Sequence, residues 1–323
     1  PRPPTTPTGW PDRPIPIYIQ SSHLLYTHME SPAPKINFYR ERTFGEKLNT
    51  TFDYLRHSWR PLLRYSLYFI LPLCLVQAFF LNQLMSNTFI DFPVAGESSF
   101  SNVISRVLAH AVGVYCCYIA GYILLSALLY SLMQTYERRE DGLRGVTFDE
   151  LRAPLGRLVG RSVRVLLFGL LLSLLVGAFI GLPALLGSLW TLLATIPVTL
   201  LLVLLFISPL WLFAPLYLLG DRPFFASFRQ AFRWGMPAWF EIFGLMLVFG
   251  LIGSIVNMVT YLPWYLFTFI GQLFSYTEGN GMADTLWFQL TSYILGIIQS
   301  YGYYLSQVIA MTGIAFEYFH LRE

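Results

Sequence analysis

Apolar residues run along this chain in blocks long enough to cross a bilayer, and the polar residues gather between the blocks. A helix rises about 1.5 Å per residue, so ~20 apolar residues cross the ~30 Å hydrocarbon layer. Six blocks predict six spans, at about Tyr65–Leu84, Val107–Tyr130, Val165–Leu185, Leu192–Phe213, Phe240–Tyr261 and Thr291–Phe316. A short turn around Gly187 joins the third and fourth. Pro197 and Pro209 mark kinks in the fourth, and Pro263 closes the fifth. Pro263–Phe274 then reads as a short interfacial or re-entrant helix. Its rings, together with Trp287, suit a headgroup belt, where an apolar body keeps a polar edge wet.

The polar segments between the blocks carry helical periodicity. Thr43-Phe44-Gly45-Glu46 is a capping box, followed by Phe44, Leu48, Phe52, Leu55 and Trp59 at steps of four and three. Thr147-Phe148-Asp149-Glu150 repeats the box ahead of Leu151, Leu155 and Leu158. Asp221 reads as a third N-cap before Pro223 and the row Phe224, Phe228, Phe232. The predicted fold is therefore an all-α polytopic membrane helix bundle. It reads as three repeats of an amphipathic interfacial helix plus two spans, with residues 35–323 as a single membrane domain.

Composition excludes a soluble fold. Hydrophobic residues make up 55% of the chain and charged residues 12%, with a mean hydropathy of +0.54, about half the charge of a soluble domain. No Asp, Glu, Lys or Arg occurs between Val165 and Gly220. Eighteen basic residues lie on the side of the N-terminal segment, and Arg106 alone lies opposite. This bias predicts both termini in the cytoplasm of a bacterial inner membrane. The net charge of +3 and pI near 8.8 do not suggest a nucleic-acid surface. Cys74, Cys116 and Cys117 sit inside apolar runs and read as small core residues. Pro1–His28 holds seven prolines and precedes the first methionine, Met29. Residues 1–34 read as a disordered Pro-rich tail or as an upstream extension.

Asn37-Phe38-Tyr39-Arg40-Glu41-Arg42-Thr43-Phe44-Gly45-Glu46-Lys47-Leu48-Asn49-Thr50-Thr51-Phe52 resembles the opening of a family of uncharacterised multi-pass inner-membrane proteins of Bacteroidota. The ending, Ile314 to Glu323, is similar to that family's terminus. Arg222-Pro223-Phe224-Phe225-Ala226-Ser227-Phe228-Arg229 looks like the pre-span helix of a broader group. That group includes the membrane domain of some glycerophosphodiester phosphodiesterases. The resemblance implies a multi-pass membrane fold and carries over no catalytic residues.

Chemistry is sparse. There is no phosphate-cradling Gly-Lys-Ser/Thr loop, no Gly-x-Ser-x-Gly elbow and no His-Glu-x-x-His pair in the sequence. His23, His28, His57, His110 and His320 are scattered, so no metal site, cofactor or catalytic site is expected. Arg56, Arg60, Arg64, Arg157, Arg161, Arg164, Arg229 and Arg233 flank the amphipathic helices and are candidate lipid-headgroup contacts. The apolar rings of those helices would sink into the acyl boundary beside them. Gln299, Tyr303 and Gln307 form an i, i+4, i+8 row in the last span, which Gln77, Asn82 and Asn257 could answer. Such groups are packing glue or a polar path. Arg106 and His110 share one face of the second span, and Glu317 and His320 read as interfacial. Gly177-x-x-x-Gly181 and Ala109-x-x-x-Gly113 predict close helix packing. The leading expectation is a non-enzymatic scaffold or accessory subunit whose partners are membrane lipids and other inner-membrane proteins. A transporter or channel-like carrier is the alternative, weakened by the lack of mid-membrane charge. A membrane-embedded enzyme of lipid metabolism comes third.

Overall fold

The computed structural model describes residues 35–88, 97–185, 189–278 and 285–323. These residues form a helical bundle of α1 (Phe44–Phe69), α2 (Leu71–Ser86), α3 (Glu97–Arg138), α4 (Phe148–Leu185), α5 (Leu189–Leu219), α6 (Phe224–Gly235), α7 (Trp239–Glu278) and α8 (Leu286–Arg322). The tail at 1–34 and the turn at Gly187 lie outside the described residues.

The predicted amphipathic helices and spans are not separate objects. The first amphipathic stretch continues through Tyr65 to Phe69, and the chain then bends by 57° into α2. Pro72 explains the bend, because it donates no amide hydrogen and its ring crowds the preceding turn. The second amphipathic stretch and the third span are one helix, α4. Only the third stretch stands alone, as α6. Its N-cap is Pro223 with no side-chain cap bond, rather than Asp221. Thr43 and Glu46 do form both bonds of the expected capping box.

Pro263 does not end a helix. α7 runs unbroken from Trp239 to Glu278, so Pro263–Phe274 is the second half of a long helix and not an interfacial or re-entrant one. Tertiary contacts hold that half in line. The Trp264 indole N–H donates to Asn82 Oδ1 at 2.9 Å, and Tyr261, Tyr265 and Phe269 stack at successive turns with ring separations of 5.4 and 5.7 Å.

Among the described residues four stretches are long and apolar enough to cross a membrane: Phe100–Arg138, Phe148–Gly181, Leu193–Leu219 and Trp239–Ser275. The bent pair α1–α2 makes a fifth. The expected sixth span lies within α8, which is 37 residues long but falls outside this apolar set. Its core-facing residues include Ser292, Gln299, Ser300, Ser306 and Glu317. α8 packs against α7 and also against α1, α2, α3 and α5. Its second half, from Gln299, is largely buried, whereas Leu286, Trp287, Leu290, Ile294 and Ile298 of its first half are exposed. The buried half does not meet lipid, so its sequence escapes the hydropathy that lipid demands of the others.

α7 and α8 run antiparallel and approach closely through small residues. A Cβ on Gly302 would overlap the Thr260 side chain, and one on Gly313 would overlap the Phe249 ring. By contrast, Gly177 and Gly181 have open space around them, so the expected close packing at that pair is absent among the described residues. Gly113 does receive a neighbour, the Phe80 ring of α2. Gly302→Val should therefore cost about 1–3 kcal/mol through overpacking. Gly177→Val should change thermal unfolding in detergent little, and equal effects at the two sites would contradict this packing.

The densest core lies toward the end where α1 begins and α8 finishes. There Leu125, Leu128, Leu132 and Met133 of α3 meet Ile314, Ala315 and Phe316 of α8 and Leu212 and Leu216 of α5. Away from that end the outward positions are large and apolar, as at Leu171 and Leu174 of α4 and Leu200 and Leu201 of α5. That pattern suits a lipid surround, where apolar groups face out.

Candidate functional site

α1 turns an unexpected face to the protein. Its apolar row points largely outward, with Phe44, Phe52 and Trp59 exposed. The buried stripe is instead Lys47, Thr51, Tyr54, Ser58 and Leu62, at helical steps of four and three. In a membrane protein the surround is itself apolar, so this division places polar groups inside the bundle.

Lys47 is the centre of what that stripe builds. Its side chain is 0% exposed, and Nζ lies 2.5 Å from Glu241 Oε1 on α7 and 2.6 Å from Glu317 Oε2 on α8. Glu317 is also 0% exposed, whereas Glu241 is 34% exposed. Glu317 Oε1 is buried without a hydrogen-bond partner. Glu317 is therefore no interfacial residue, contrary to expectation, because α1 and α7 close over it. Two carboxylates and one ammonium tie three helix ends together. The sequence pattern marks neither Lys47 nor Glu241 as a site residue and reads Glu317 as interfacial. The signal that could have found Lys47 is the stripe Lys47, Thr51, Tyr54, Ser58, whose small or polar members repeat on one face.

The segment before α1 lies over the same end. Phe38 is buried and stacks on Tyr136 of α3 at 5.2 Å. It also meets Phe316 and Phe319 of α8 at 5.4 and 4.9 Å, and Tyr54 of α1 at 5.8 Å. The Arg42 guanidinium donates to the Phe38 carbonyl at 2.8 Å and to the Asn37 carbonyl. The Arg42 amide donates to His320 Nδ1 at 3.2 Å, which makes that nitrogen an acceptor. Burial, with Lys47 nearby, holds the His320 imidazole below its usual value and favours this neutral form.

The eight arginines divide. Arg161 is half-buried and the other seven, Arg164 included, are exposed, with Arg60 over the Trp59 ring at 5.7 Å and Arg64 over the Tyr65 ring at 5.9 Å. Arg161 and Arg164 are turned toward the protein's own groups. Arg161 donates to the carbonyls of Tyr217 and Gly220 at 3.2 and 2.6 Å, closing the end of α5. Arg164 donates to the Tyr217 hydroxyl at 3.0 Å. The last carbonyls of a helix have no partner within it, and a cation there also meets the negative end of the dipole. Arg161→Met should lower stability by about 1.5 kcal/mol, the low end for charged hydrogen bonds at a half-exposed site. Arg157→Met should fall within about 0.5 kcal/mol of the parent. Chemical unfolding in detergent compares the two.

The polar row of α8 does not act as one unit. Gln299 is buried, and its Oε1 accepts from Ser300 at 3.3 Å. The Tyr303 ring meets the Tyr118 ring edge-on at 4.8 Å. Gln307 is half-buried, and Asn257 Oδ1 is buried without a hydrogen-bond partner. The stronger polar contact belongs to the neighbour Tyr304, whose hydroxyl donates to Gln77 Oε1 of α2 at 2.7 Å. Gly121 of α3 makes room for that ring. Asn82 pairs with Trp264 rather than with the row. His110 Nδ1 lies 2.7 Å from the Arg106 carbonyl and 3.2 Å from Asn87 Nδ2, so it engages the Arg106 backbone. Cys74 and Cys117 are buried, but Cys116 is exposed on α3.

Among the described residues no group of three His, Cys, Asp or Glu side chains is placed to hold a metal ion. Compared with protein-family models, curated proteins and solved structures, the chain matches none.

Proposed function

We propose that the protein is a scaffold or accessory subunit of a bacterial inner membrane that binds lipid or another membrane protein along α4 and α5. The observation that carries this reading is the bareness of α4: none of its most apolar stretch is buried within the bundle. Leu167, Leu171, Leu174 and Phe179 are exposed on it, as are Leu200 and Leu201 on α5. A helix whose most apolar stretch stays unburied, although it packs on α3 and α5, is suited to a partner in the bilayer. The exposed arginines at the basic end would meet anionic headgroups, each adding ~1 kcal/mol of attraction near the surface. With that end in the cytoplasm, both termini are cytoplasmic. A relationship to the Bacteroidota membrane family belongs to the same proposal.

A photo-crosslinking residue at Leu171 or Leu201, in cells expressing the full chain, tests the reading. A protein adduct of defined mass, or one lipid class enriched over the bulk membrane, is the expected result. Lipid adducts in bulk proportion without a protein adduct would count against it.

A carrier is the second reading, favoured by Gln77, Gln299 and Ser300, which are buried where α2 and α8 meet. Replacing Gln299, Gln307 and Asn257 together by leucine should abolish uptake with folding intact if that reading holds. Loss of folding alone would assign those residues to packing.

A further inference from the structure

Lys47, Glu241 and Glu317 bring two carboxyl groups to one ammonium at 2.5 and 2.6 Å. With all three ionised, the cluster would carry one uncompensated negative charge in a place where two of the three side chains meet no solvent. Burying an unmatched charge is costly, and a group so placed neutralises instead. The two carboxyl groups are not equivalent. Glu241 is one-third exposed and can share its charge with water. Glu317 has no exposure, and its Oε1 finds no donor, so an ionised Glu317 would leave a bare anionic oxygen inside the bundle. A neutral carboxyl group leaves only an unpartnered hydroxyl there, and its Oε2 still accepts from Lys47.

We infer that Glu317 is a proton-binding site, holding one proton beside the Lys47–Glu241 ion pair and exchanging it with water through Glu241. The site takes up a proton as its carboxylate becomes a carboxylic acid, and no other bond changes. His320 lies three residues further along α8, and Glu41 and Arg42 precede α1; with Lys47 and Glu241 these are the ionisable groups around the cluster. Losing the proton strengthens the attraction of Glu317 for Lys47 but leaves the excess charge buried. Proton occupancy is thereby linked to how α1, α7 and α8 are tied at this end. The inference does not depend on whether the protein is a scaffold or a carrier.

Infrared spectroscopy of the full chain in lipid nanodiscs tests it. A protonated-carboxyl stretch is expected at neutral pH in the parent, absent in Glu317→Gln, displaced in frequency in Glu317→Asp and unmoved in Glu241→Asp. Glu317→Gln should also unfold at nearly the parent temperature, because the amide oxygen replaces the acid's acceptor toward Lys47. Absence of the stretch in the parent, its survival in Glu317→Gln, or a band displaced by Glu241→Asp would overturn the assignment. Should Glu317→Gln not assemble, Glu317→Asp replaces it: a band displaced in frequency supports the site, and an unmoved band overturns it.

Discussion

Lys47→Met is expected to lower the unfolding free energy by about 3 kcal/mol, at the low end of the cost of removing one partner from a buried ion pair. The ammonium donates to both Glu241 and Glu317, and each lies on a different helix. Without it, Glu241 can turn toward water because a third of it is exposed, but Glu317 cannot. The cost should therefore come from the lost tie between α1 and the α7–α8 pair, and from whatever charge stays stranded. A triple variant, Lys47→Met with Glu241→Gln and Glu317→Gln, should recover much of the loss. Residues acting as one network are not additive, and removing them together leaves no charge unmatched. Chemical unfolding of the three proteins in one detergent measures this, and a triple variant as unstable as the sum of its parts would refute the network.

Phe38→Ala should cost about 3–5 kcal/mol, the range for deleting a buried aromatic ring. The ring touches four others from α1, α3 and α8, including a parallel stack on Tyr136 with planes 10° apart. A cavity there cannot collapse easily, since Tyr54, Phe316 and Phe319 are themselves fully buried. The truncation should also loosen the segment before α1, where Arg42 is bound to the Phe38 carbonyl. Trypsin cleavage after Arg40 or Arg42 should then quicken in the folded protein. Phe38→Leu should cost less by keeping most of the volume. An unchanged melting temperature in Phe38→Ala would show that the segment merely rests on the bundle.

The capping box at Thr43 and Glu46 was legible because its residues act on backbone groups within one turn. Pro263 misled because a proline inside a helix is a local penalty that neighbouring helices can offset. Trp264, bonded to Asn82, does so here. Asp221 misled for the opposite reason, since Pro223 starts α6 by its fixed backbone angle without any side-chain cap. Arg161 and Arg157 look alike in sequence, four residues apart on one helix. Only the position of the α5 terminus separates a capping cation from an exposed one.

Sequence alone determined that the chain is a bundle of membrane-crossing helices with one strongly basic end. Both properties depend on residue type against solvent, so each residue contributes without regard to its distant neighbours. Tertiary structure alone decided which face of α1 is inside, that the second half of α8 is enclosed, and that Lys47 meets Glu241 and Glu317. Lys47 and Glu317 are 270 residues apart. Nothing in the local pattern of either says that the other will lie beside it, because burial of an ionisable group becomes tolerable only once its partners have arrived.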